Sequence, residues 1–284
     1  MANYILSAFA DEYSDSFEEQ LTALKGFGID YIELRFVDGV NVADLSDEQV
    51  SRVKTLLLQY GIKVSAIGSP LGKTPLDEPF GLTLERAERN FSIASTLGTR
   101  RVRFFSFYPA KNTPFDEDEV IRRIEVLADL AEEKDIILCH ENEAVIFGES
   151  PDACAKMLGR LGGSVKEVFD MGNFTVEGYN PLEAFDLLSE HIEYFHIKDA
   201  LSAGAIVPPG KGEARIAEIL KAYKRQMKTD TFITVEPHLQ TFSGLNALVG
   251  RAFDNPYKFP DKRAAFTAAV AALCEILNDV EENL

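Results

Sequence analysis

The sequence predicts an α/β protein built as a single (β/α)8 TIM barrel. Short apolar, β-branched or aromatic runs alternate with longer amphipathic stretches along all 284 residues, which is typical of parallel strands joined by helices. Eight such runs occur, and eight is the number of strands that closes this barrel. No Pro/Ser-rich linker and no run of like charges divides the chain, so we expect one domain over residues 1–284.

The predicted strands are short and buried in character, and they cover residues 4–9, 30–35, 62–68, 101–106, 135–140, 165–170, 192–197 and 231–236. The predicted helices are amphipathic, many with a capping residue or an acidic first turn, and they cover residues 16–27, 46–60, 82–97, 116–134, 150–160, 181–190, 213–228 and 261–279. Ser46 and Gln49 match a capping box. Gly28, Gly61 and Gly98 follow three helices, where left-handed C-caps are expected.

An open doubly wound sheet is the rival architecture. Its dinucleotide fingerprint, G-x-G-x-x-G after the first strand, is absent, because strand one runs into Phe9-Ala10-Asp11-Glu12. The long connections all follow strands, as loops at the active face of a barrel must, and they cover residues 69–81, 106–115, 198–212 and about 237–260. The last of these joins strand eight to helix eight, and its aromatic residues predict either a lid or a subunit contact.

Composition limits the partners of the protein. The formal charge of −17 opposes nucleic-acid binding, which depends on Lys and Arg at the phosphate backbone. Three widely spaced cysteines favour a reducing compartment, and the start of the chain lacks the basic region of a leader. No apolar run approaches the roughly 20 residues of a membrane helix. We therefore expect a cytoplasmic protein without membrane partners, and leave a homo-oligomer open.

Four residues in the second half of the chain share one position, at or just beyond the carboxyl end of a predicted strand: Glu141, Asp170, His196 and Glu236. Carboxyl ends of barrel strands meet at one face, so these side chains should converge. Singly, each acid could be a helix cap or a solvated loop residue, but recurrence at strands five to eight favours a divalent-metal site. Oxygen ligands suit Mg²⁺ and Mn²⁺, and the imidazole shifts the preference toward Mn²⁺, Co²⁺ or Zn²⁺. We expect one ion, with Mn²⁺ first.

The chain resembles the sugar phosphate isomerase/epimerase family, the xylose isomerase-like barrels that also include ketose 3-epimerases and relatives of apurinic endonuclease family 2. The motifs that carry the resemblance are Tyr31-Ile-Glu-Leu, His140-Glu-Asn-Glu, Phe169-Asp-Met-Gly-Asn, Phe195-His-Ile-Lys-Asp, Pro209-Gly-Lys-Gly-Glu and Val235-Glu-Pro-His. The resemblance implies that Glu141, Asp170, His196 and Glu236 hold the metal. It also implies that Glu141 and Glu236 move protons.

A cation that polarises a ketose acidifies the neighbouring C–H, so that a carboxylate can remove the proton and leave an enediolate. If Glu141 takes the proton and Glu236 returns one to the opposite face, the product is an epimer, whereas return to the adjacent carbon gives an aldose–ketose isomer. We therefore expect a metal-dependent isomerase or epimerase of a carbohydrate. The sequence leaves open which sugar it is and whether it carries phosphate.

Further polar residues are candidate substrate contacts, namely Glu33, Arg103, Asn173, Lys198 and His238 near strand ends, and Lys211 in the 198–212 connection. Lys198 should share a side of strand seven with His196, where it could neutralise an enolate oxygen or grip a phosphate; a salt bridge to Glu213 is the alternative. Glu33 could accept sugar hydroxyls or pair with Arg35 or Arg103. His140, by strand alternation, should face away from the pocket.

Two departures from the family keep other functions open. Asn173 stands where ketose 3-epimerase relatives commonly place a histidine that touches substrate, and Glu143 replaces a histidine common after Glu-Asn. The runner-up is a dehydratase of the inosose or 3-dehydroshikimate type, in which a metal-stabilised enolate expels a hydroxyl. A metal-dependent endonuclease is disfavoured by the acidity and by the presence of only 4 histidines. A non-catalytic sugar-binding barrel is the fourth reading.

Overall fold

Eight parallel strands form the predicted barrel in a computed structural model that describes residues 2–202, 204–239 and 257–283. They are β1 (Tyr4–Ala8), β2 (Tyr31–Leu34), β3 (Lys63–Ile67), β4 (Arg101–Phe104), β5 (Ile137–Glu141), β6 (Val165–Asp170), β7 (Ile192–Ile197) and β8 (Thr231–Val235). Hydrogen-bonded neighbours run from β2 through β3 to β8 and then to β1. Strands β1 and β2 lie against each other, so the barrel is nearly closed. The predicted fold is confirmed.

The helices surround the barrel, and they are α1 (Phe17–Phe27), α2 (Asp47–Tyr60), α3 (Phe80–Leu97), α4 (Glu117–Glu133), α5 (Pro151–Arg160), α6 (Met171–Val176), α7 (Pro181–Leu188), α8 (Ile216–Lys224) and α9 (Lys262–Glu282). The capping box of Ser46 and Gln49 is present at α2. Left-handed glycines follow α1, α2 and α3 as predicted. Helix α6 was not predicted, because its 6 residues are too few to show a helical period.

Strand alternation places the candidate site above an apolar layer inside the barrel. The residues two positions before the candidate ligands are buried, and they are Cys139, Val168, Tyr194 and Thr234. Since side chains two apart share a face of a strand, the ligands project from the same inner face one layer higher. The main core lies on the other face of the sheet, between strands and helices. This layering fixes which end of the barrel carries the polar residues.

One predicted helix begins earlier than expected, and one predicted connection lies largely outside the described residues. Helix α3 begins at Phe80, two residues earlier than predicted, so Thr83 lies within it instead of at its start. The greater part of the predicted 237–260 connection, residues 240–256 with their aromatic side chains, lies outside the described residues. Among the helices that the structure describes, none is long and apolar enough to cross a membrane.

Candidate metal centre

The four predicted ligands come together at the carboxyl end of the barrel. One ligand atom from each of Glu141, Asp170, His196 and Glu236 lies within 4.8 Å of the others. Glu141 ends β5, and Asp170 ends β6. His196 is the last residue but one of β7, and Glu236 directly follows β8. All four side chains are buried, so the convergence is enclosed by protein.

His196 presents one ring nitrogen to the glutamates and the other to Glu33. Its Nδ1 lies 3.0 Å from Glu141 Oε1 and 3.1 Å from Glu236 Oε2. Its Nε2 lies 3.0 Å from Glu33 Oε2. A carboxylate on the second nitrogen of a histidine is the usual device that orients a metal-ligating imidazole. The ring is therefore held with Nδ1 directed at the candidate ligands.

Glu33 lies beneath His196 and not in an ion pair with Arg35 or Arg103. Its Oε1 accepts a hydrogen bond from the Tyr194 hydroxyl at 2.9 Å, and its Oε2 accepts one from Thr234 at 2.8 Å as well as facing His196. The structure thus gives Glu33 protein partners on both oxygens. A contact with substrate stays a prediction, but the observed geometry is that of a residue supporting His196.

Each candidate ligand carboxylate also faces at least one buried cation. Arg103 lies 3.0 Å from Glu141 Oε2, and Arg35 lies 2.8 Å from Glu236 Oε1. Lys198 lies 2.9 Å from Asp170 Oδ2 and 3.7 Å from Glu236 Oε2. The predicted orientation of Lys198 toward the His196 side is therefore observed. Glu213, the alternative partner, accepts the backbone N–H of Ser202 instead.

Electrostatics keep the two glutamates ionised. Burial would raise the pKa of Glu141, but His196 and Arg103 outweigh it and lower that pKa to about 2. Burial opposes ionisation of Glu236 too, yet Lys198 and His196 hold its pKa well below the usual value. Asp170 differs, because burial raises its pKa to about 6 despite Lys198. For His196, burial would lower the pKa, and Glu33, Glu141 and Glu236 together raise it well above the usual value.

The donor set fits a divalent cation. Three buried oxygens, Glu141 Oε2, Asp170 Oδ2 and Glu236 Oε2, face cations without accepting a well-aligned hydrogen bond from the described residues. Buried carboxylate oxygens in that condition normally coordinate metal or pair more fully. Three carboxylates and one imidazole, with no thiolate, suit Mg²⁺, Mn²⁺ or a similar ion in an open site.

Two asparagines fix the position of Asp170. Asn142 donates to the Asp170 carbonyl and accepts from the Asp170 N–H, both at 2.9 Å. Asn173 donates its N–H to Asp170 Oδ1 at 2.9 Å and its carboxamide to the Asn142 carbonyl at 2.8 Å. Asn173, a predicted substrate contact, therefore already ties the start of α6 to the end of β5.

A second acidic group next to Glu236 was missed by the sequence analysis. Asp11 and Glu12 form a short 3-10 turn after β1, and both are buried. Arg35 joins them to Glu236, with 2.9 Å to Asp11 Oδ2 and 3.3 Å to Glu12 Oε1. The position of Asp11 and Glu12 just beyond strand one follows the same rule that found the four ligands.

His238 lies between this acidic group and Glu236. Its Nε2 is 3.4 Å from Glu12 Oε1 and 3.3 Å from Glu236 Oε1, and its backbone N–H donates to Glu12 Oε2 at 2.8 Å. Burial and the nearby Lys198 lower its pKa to about 4, so the imidazole is neutral at pH 7. A neutral ring at the pocket is compatible with the predicted hydrogen bond to substrate.

The predicted contact Lys211 lies elsewhere. It is exposed in the loop before α8, and its side chain makes no contact with the four ligands in the described part of the chain. Asp199 organises this loop by accepting backbone N–H groups from Ala200, Gly210, Gly212 and Ala214. Asp199 thus caps the loop, and a role for Lys211 at the substrate stays a prediction.

His140 faces away from the ligands, as predicted. Its Nδ1 lies 3.1 Å from Glu167, and its Nε2 lies 3.0 Å from Ser106 Oγ, which accepts the Gly148 N–H at 2.7 Å. The group is fully buried outside the barrel lumen. A Cβ at Gly148 would lie 2.4 Å from the His140 ring, so only glycine fits there. This network braces β5, the strand that carries Glu141.

Comparisons with known proteins agree with the fold. The sequence profile of the family described as xylose isomerase-like TIM barrel matches residues 21–254. A xylose isomerase-like TIM barrel protein from Mycobacterium smegmatis, solved with magnesium, superposes with a TM-score of 0.70 at 17% identity, over 99% of this chain and 98% of that one. The D-allulose 3-epimerase from Methylomonas sp. gives 0.75 at 16%, over 99% and 100%.

The third structure is described as the probable 3-DHS dehydratase AsbF of Bacillus anthracis, with a TM-score of 0.72 at 19% identity over 96% of this chain and 98% of that one. No curated protein sequence matches the chain significantly. At such identities the likeness to solved structures establishes the fold alone.

Proposed function

Because the chain belongs to the xylose isomerase-like TIM barrel family, we propose that it is a divalent-metal-dependent isomerase or epimerase of a ketose or related sugar. The observation that carries the proposal is the convergence of Glu141, Asp170, His196 and Glu236, whose ligand atoms lie within 4.8 Å of one another. The M. smegmatis relative was solved with magnesium, and the Methylomonas enzyme is a sugar 3-epimerase. Mn²⁺ remains the first choice for the ion, with Mg²⁺, Co²⁺ and Zn²⁺ as alternatives.

The metal would be held by Glu141, Asp170, His196 Nδ1 and Glu236. When bound, a divalent cation polarises a ketose carbonyl and its neighbouring hydroxyl, which acidifies the C–H between them. The side chains around the metal site carry out the proton transfer, hold the substrate and balance the charge.

Glu141 and Glu236 are the proton carriers. They come from β5 and the end of β8, on either side of β7 in the barrel order, and both reach the same nitrogen of His196. One carboxylate removes the proton from the sugar carbon. The other, which is ionised at rest, takes up a proton from solvent and delivers it to the opposite face, which inverts that carbon, and the first then releases its proton to solvent. The low pKa values of both residues keep them in the basic form at neutral pH.

The buried cations hold this pair in place and balance its charge. Arg103 forms an ion pair with Glu141 through Oε2, and Arg35 forms one with Glu236 through Oε1. Lys198 reaches Asp170 and approaches Glu236, where its ammonium can stabilise negative charge that develops on a substrate oxygen. His238, neutral and near the mouth, can bond a sugar hydroxyl.

The proposal is tested by incubating metal-reconstituted protein with a panel of ketoses and ketose phosphates in D₂O and following the products by NMR. We expect deuterium to enter at the carbon that inverts, together with a new epimer, and both should disappear in metal-depleted protein. Turnover without any exchange of that hydrogen would contradict the proton-transfer mechanism. Exchange that persists after complete metal removal would contradict the metal dependence.

A dehydratase is the second candidate, and the position of Lys198 favours it. An ammonium 2.9 Å from Asp170 and 3.7 Å from Glu236 can neutralise an enolate and can also donate a proton to a departing hydroxyl. The AsbF relative is described as a probable 3-DHS dehydratase. Elimination would appear in the same NMR experiment as replacement of the signal of a hydroxyl-bearing carbon by alkene or enol signals, and in a separate ultraviolet spectrum as a new absorption band of the conjugated or enol product.

A further inference from the structure

The candidate metal centre adjoins a second group of ligand-type side chains. Glu12, Glu236 and His238 place their ligand atoms within 4.8 Å of one another. Glu236 belongs to both groups and uses different oxygens: Oε2 faces His196 and Lys198, whereas Oε1 faces His238 and Arg35. A carboxylate shared in this way is the bridge of a two-metal centre.

Arg35 already stands in that second group. Its Nη1 lies 2.8 Å from Glu236 Oε1, and its Nη2 lies 3.3 Å from Glu12 Oε1. These are the same two oxygens that face the His238 ring. Its Nε adds a 2.9 Å contact with Asp11 Oδ2. A metal ion on Glu12 and Glu236 would therefore share its ligand oxygens with a guanidinium, which is always charged.

The surroundings fix the guanidinium at this position. Arg35 is only 4% exposed, and its guanidinium carbon lies 4.1 Å from the centre of the Phe9 ring. Three carboxylates and a ring face therefore define its place from several sides. A long side chain held so firmly cannot swing aside to admit a second ion without leaving Asp11, Glu12 and Glu236 partly uncompensated.

We propose that the Arg35 guanidinium occupies a second cation site formed by Glu12, Glu236 and His238. The protein therefore binds one metal ion, although the side chains of a second site are present. This inference rests on the proposed function, because it takes the first ion to be bound by Glu141, Asp170, His196 and Glu236. It narrows the chemistry to proton transfer at a single ion. Hydrolysis of phosphodiesters by paired or triple ions, the reaction of the endonuclease hypothesis, needs more than the single ion that this arrangement leaves room for.

The test counts bound ions and needs no substrate. Metal-depleted wild-type protein is titrated with Mn²⁺, and bound metal is measured by elemental analysis after dialysis, beside Arg35→Ala and Arg35→Lys. We expect about one ion per chain in the wild type and in Arg35→Lys, and about two in Arg35→Ala, where Glu12, Glu236 and His238 become available. Thermal unfolding of Arg35→Ala should also gain more from Mn²⁺ than wild type does.

Arg103→Ala is the matched control. Arg103 is as buried as Arg35, at 5% exposed, and also pairs with a candidate ligand, Glu141. Its other hydrogen bonds among the described residues go to the carbonyl oxygens of Gly68 and Ser69, so its removal exposes no second set of carboxylate and imidazole ligands. Arg103→Ala should therefore not gain an ion.

The outcomes separate this inference from the proposed function. Two ions in the wild type, or one ion in a folded Arg35→Ala, would overturn the inference and leave the metal-dependent function standing. No ion in the wild type but one in Arg35→Ala would overturn the proposed function while supporting the second site. If Arg35→Ala folds only with Mn²⁺ present, the ion count of that folded protein decides, with two ions supporting the inference and one overturning it. If it does not fold at all, the wild-type count decides, since saturation at two ions overturns the inference and saturation at one supports it.

Discussion

At the scale of single residues, the site combines two kinds of carboxylate. Glu141 and Glu236 are held ionised by buried cations and meet at His196 Nδ1, whereas burial raises the pKa of Asp170 to about 6. In the proposed mechanism all three bind metal, but only the glutamates move protons. This division can be tested by substitutions that remove one charge and keep the shape.

Glu141→Gln and Glu236→Gln should each lower turnover by about 100-fold or more, because an amide cannot act as the base. Asp170→Asn is the matched control, since it weakens the metal site without removing a proton carrier. Activity assays over a range of Mn²⁺ concentrations separate them: added metal should restore Asp170→Asn and leave the glutamine variants inactive. A Glu141→Gln variant restored fully by metal would show that Glu141 is a ligand only.

Glu33→Gln should weaken metal affinity by roughly 10- to 100-fold, because the charge that orients the His196 ring through Nε2 is lost. Calorimetric titration with Mn²⁺ measures the effect directly. Tyr194→Phe removes a different hydrogen bond to Glu33, at 2.9 Å from Oε1, and leaves the His196 contact in place. It should change affinity much less. Equal affinities for Glu33→Gln and wild type would assign Glu33 another role, such as substrate binding.

At the scale of elements, local sequence explains most boundaries. Ser46 and Gln49 close a capping box at α2, and Gly28 and Gly61 end their helices in the left-handed conformation. Helix α4 begins at Asp116, whose side chain accepts the N–H of Glu119. The first turn of α4 carries Glu117, Asp118 and Glu119, at the end of the helix where the helix dipole favours negative charge. Glu119 also accepts hydrogen bonds from Arg122 and Arg123.

Glu119 gives a pH-dependent prediction for this element. The hydrogen bonds and charges of Arg122 and Arg123 lower its pKa from 4.5 to about 2. A carboxyl group whose pKa is lowered by folding stabilises the folded state at any pH above its pKa in the unfolded chain. This contribution disappears as the pH falls from about 4.5 to about 2. Glu119→Gln should therefore lower the free energy of unfolding at pH 7 by about 0.5–1 kcal/mol, discounted for its partial exposure.

Denaturant unfolding at pH 7 and pH 3 measures the difference between Glu119→Gln and wild type. The difference should shrink at the lower pH. Glu125→Gln, on an exposed position of the same helix, removes the same charge without these partners and should change stability little at either pH. A difference that is as large at pH 3 as at pH 7 would exclude the ionised Glu119 as its cause.

At the scale of the whole molecule, the barrel brings together four candidate ligands that lie up to 95 positions apart, from Glu141 to Glu236. Binding of an ion to this centre should stabilise the entire fold, because the unfolded chain has no preformed site. With free Mn²⁺ at 100 times its dissociation constant, the gain is about 2.7 kcal/mol. Thermal unfolding with and without a chelator should therefore differ by several degrees, and Glu236→Ala should show no such difference. An equal shift in Glu236→Ala would mean that the ion binds elsewhere.

The strand pattern predicts the barrel and the four converging side chains, because strand order and alternation fix which end and which face each residue occupies. It does not predict the pairing of cations with carboxylates. Arg35 reaches Asp11, Glu12 and Glu236 instead of Glu33, and that choice depends on rotamers and on the closure of β1 against β2. Lys211 shows a second limit, since the strand pattern does not fix the direction of a residue in the long 198–212 connection, and Lys211 lies exposed on that loop.

The central claim is that one divalent ion binds between the ends of β5, β6, β7 and β8. A crystal grown with Mn²⁺ and measured at the manganese absorption edge tests it most directly. We expect one anomalous peak about 2.0–2.2 Å from oxygens of Glu141, Asp170 and Glu236 and from His196 Nδ1. A fully occupied peak at another place, or no peak within reach of these four residues, would contradict it.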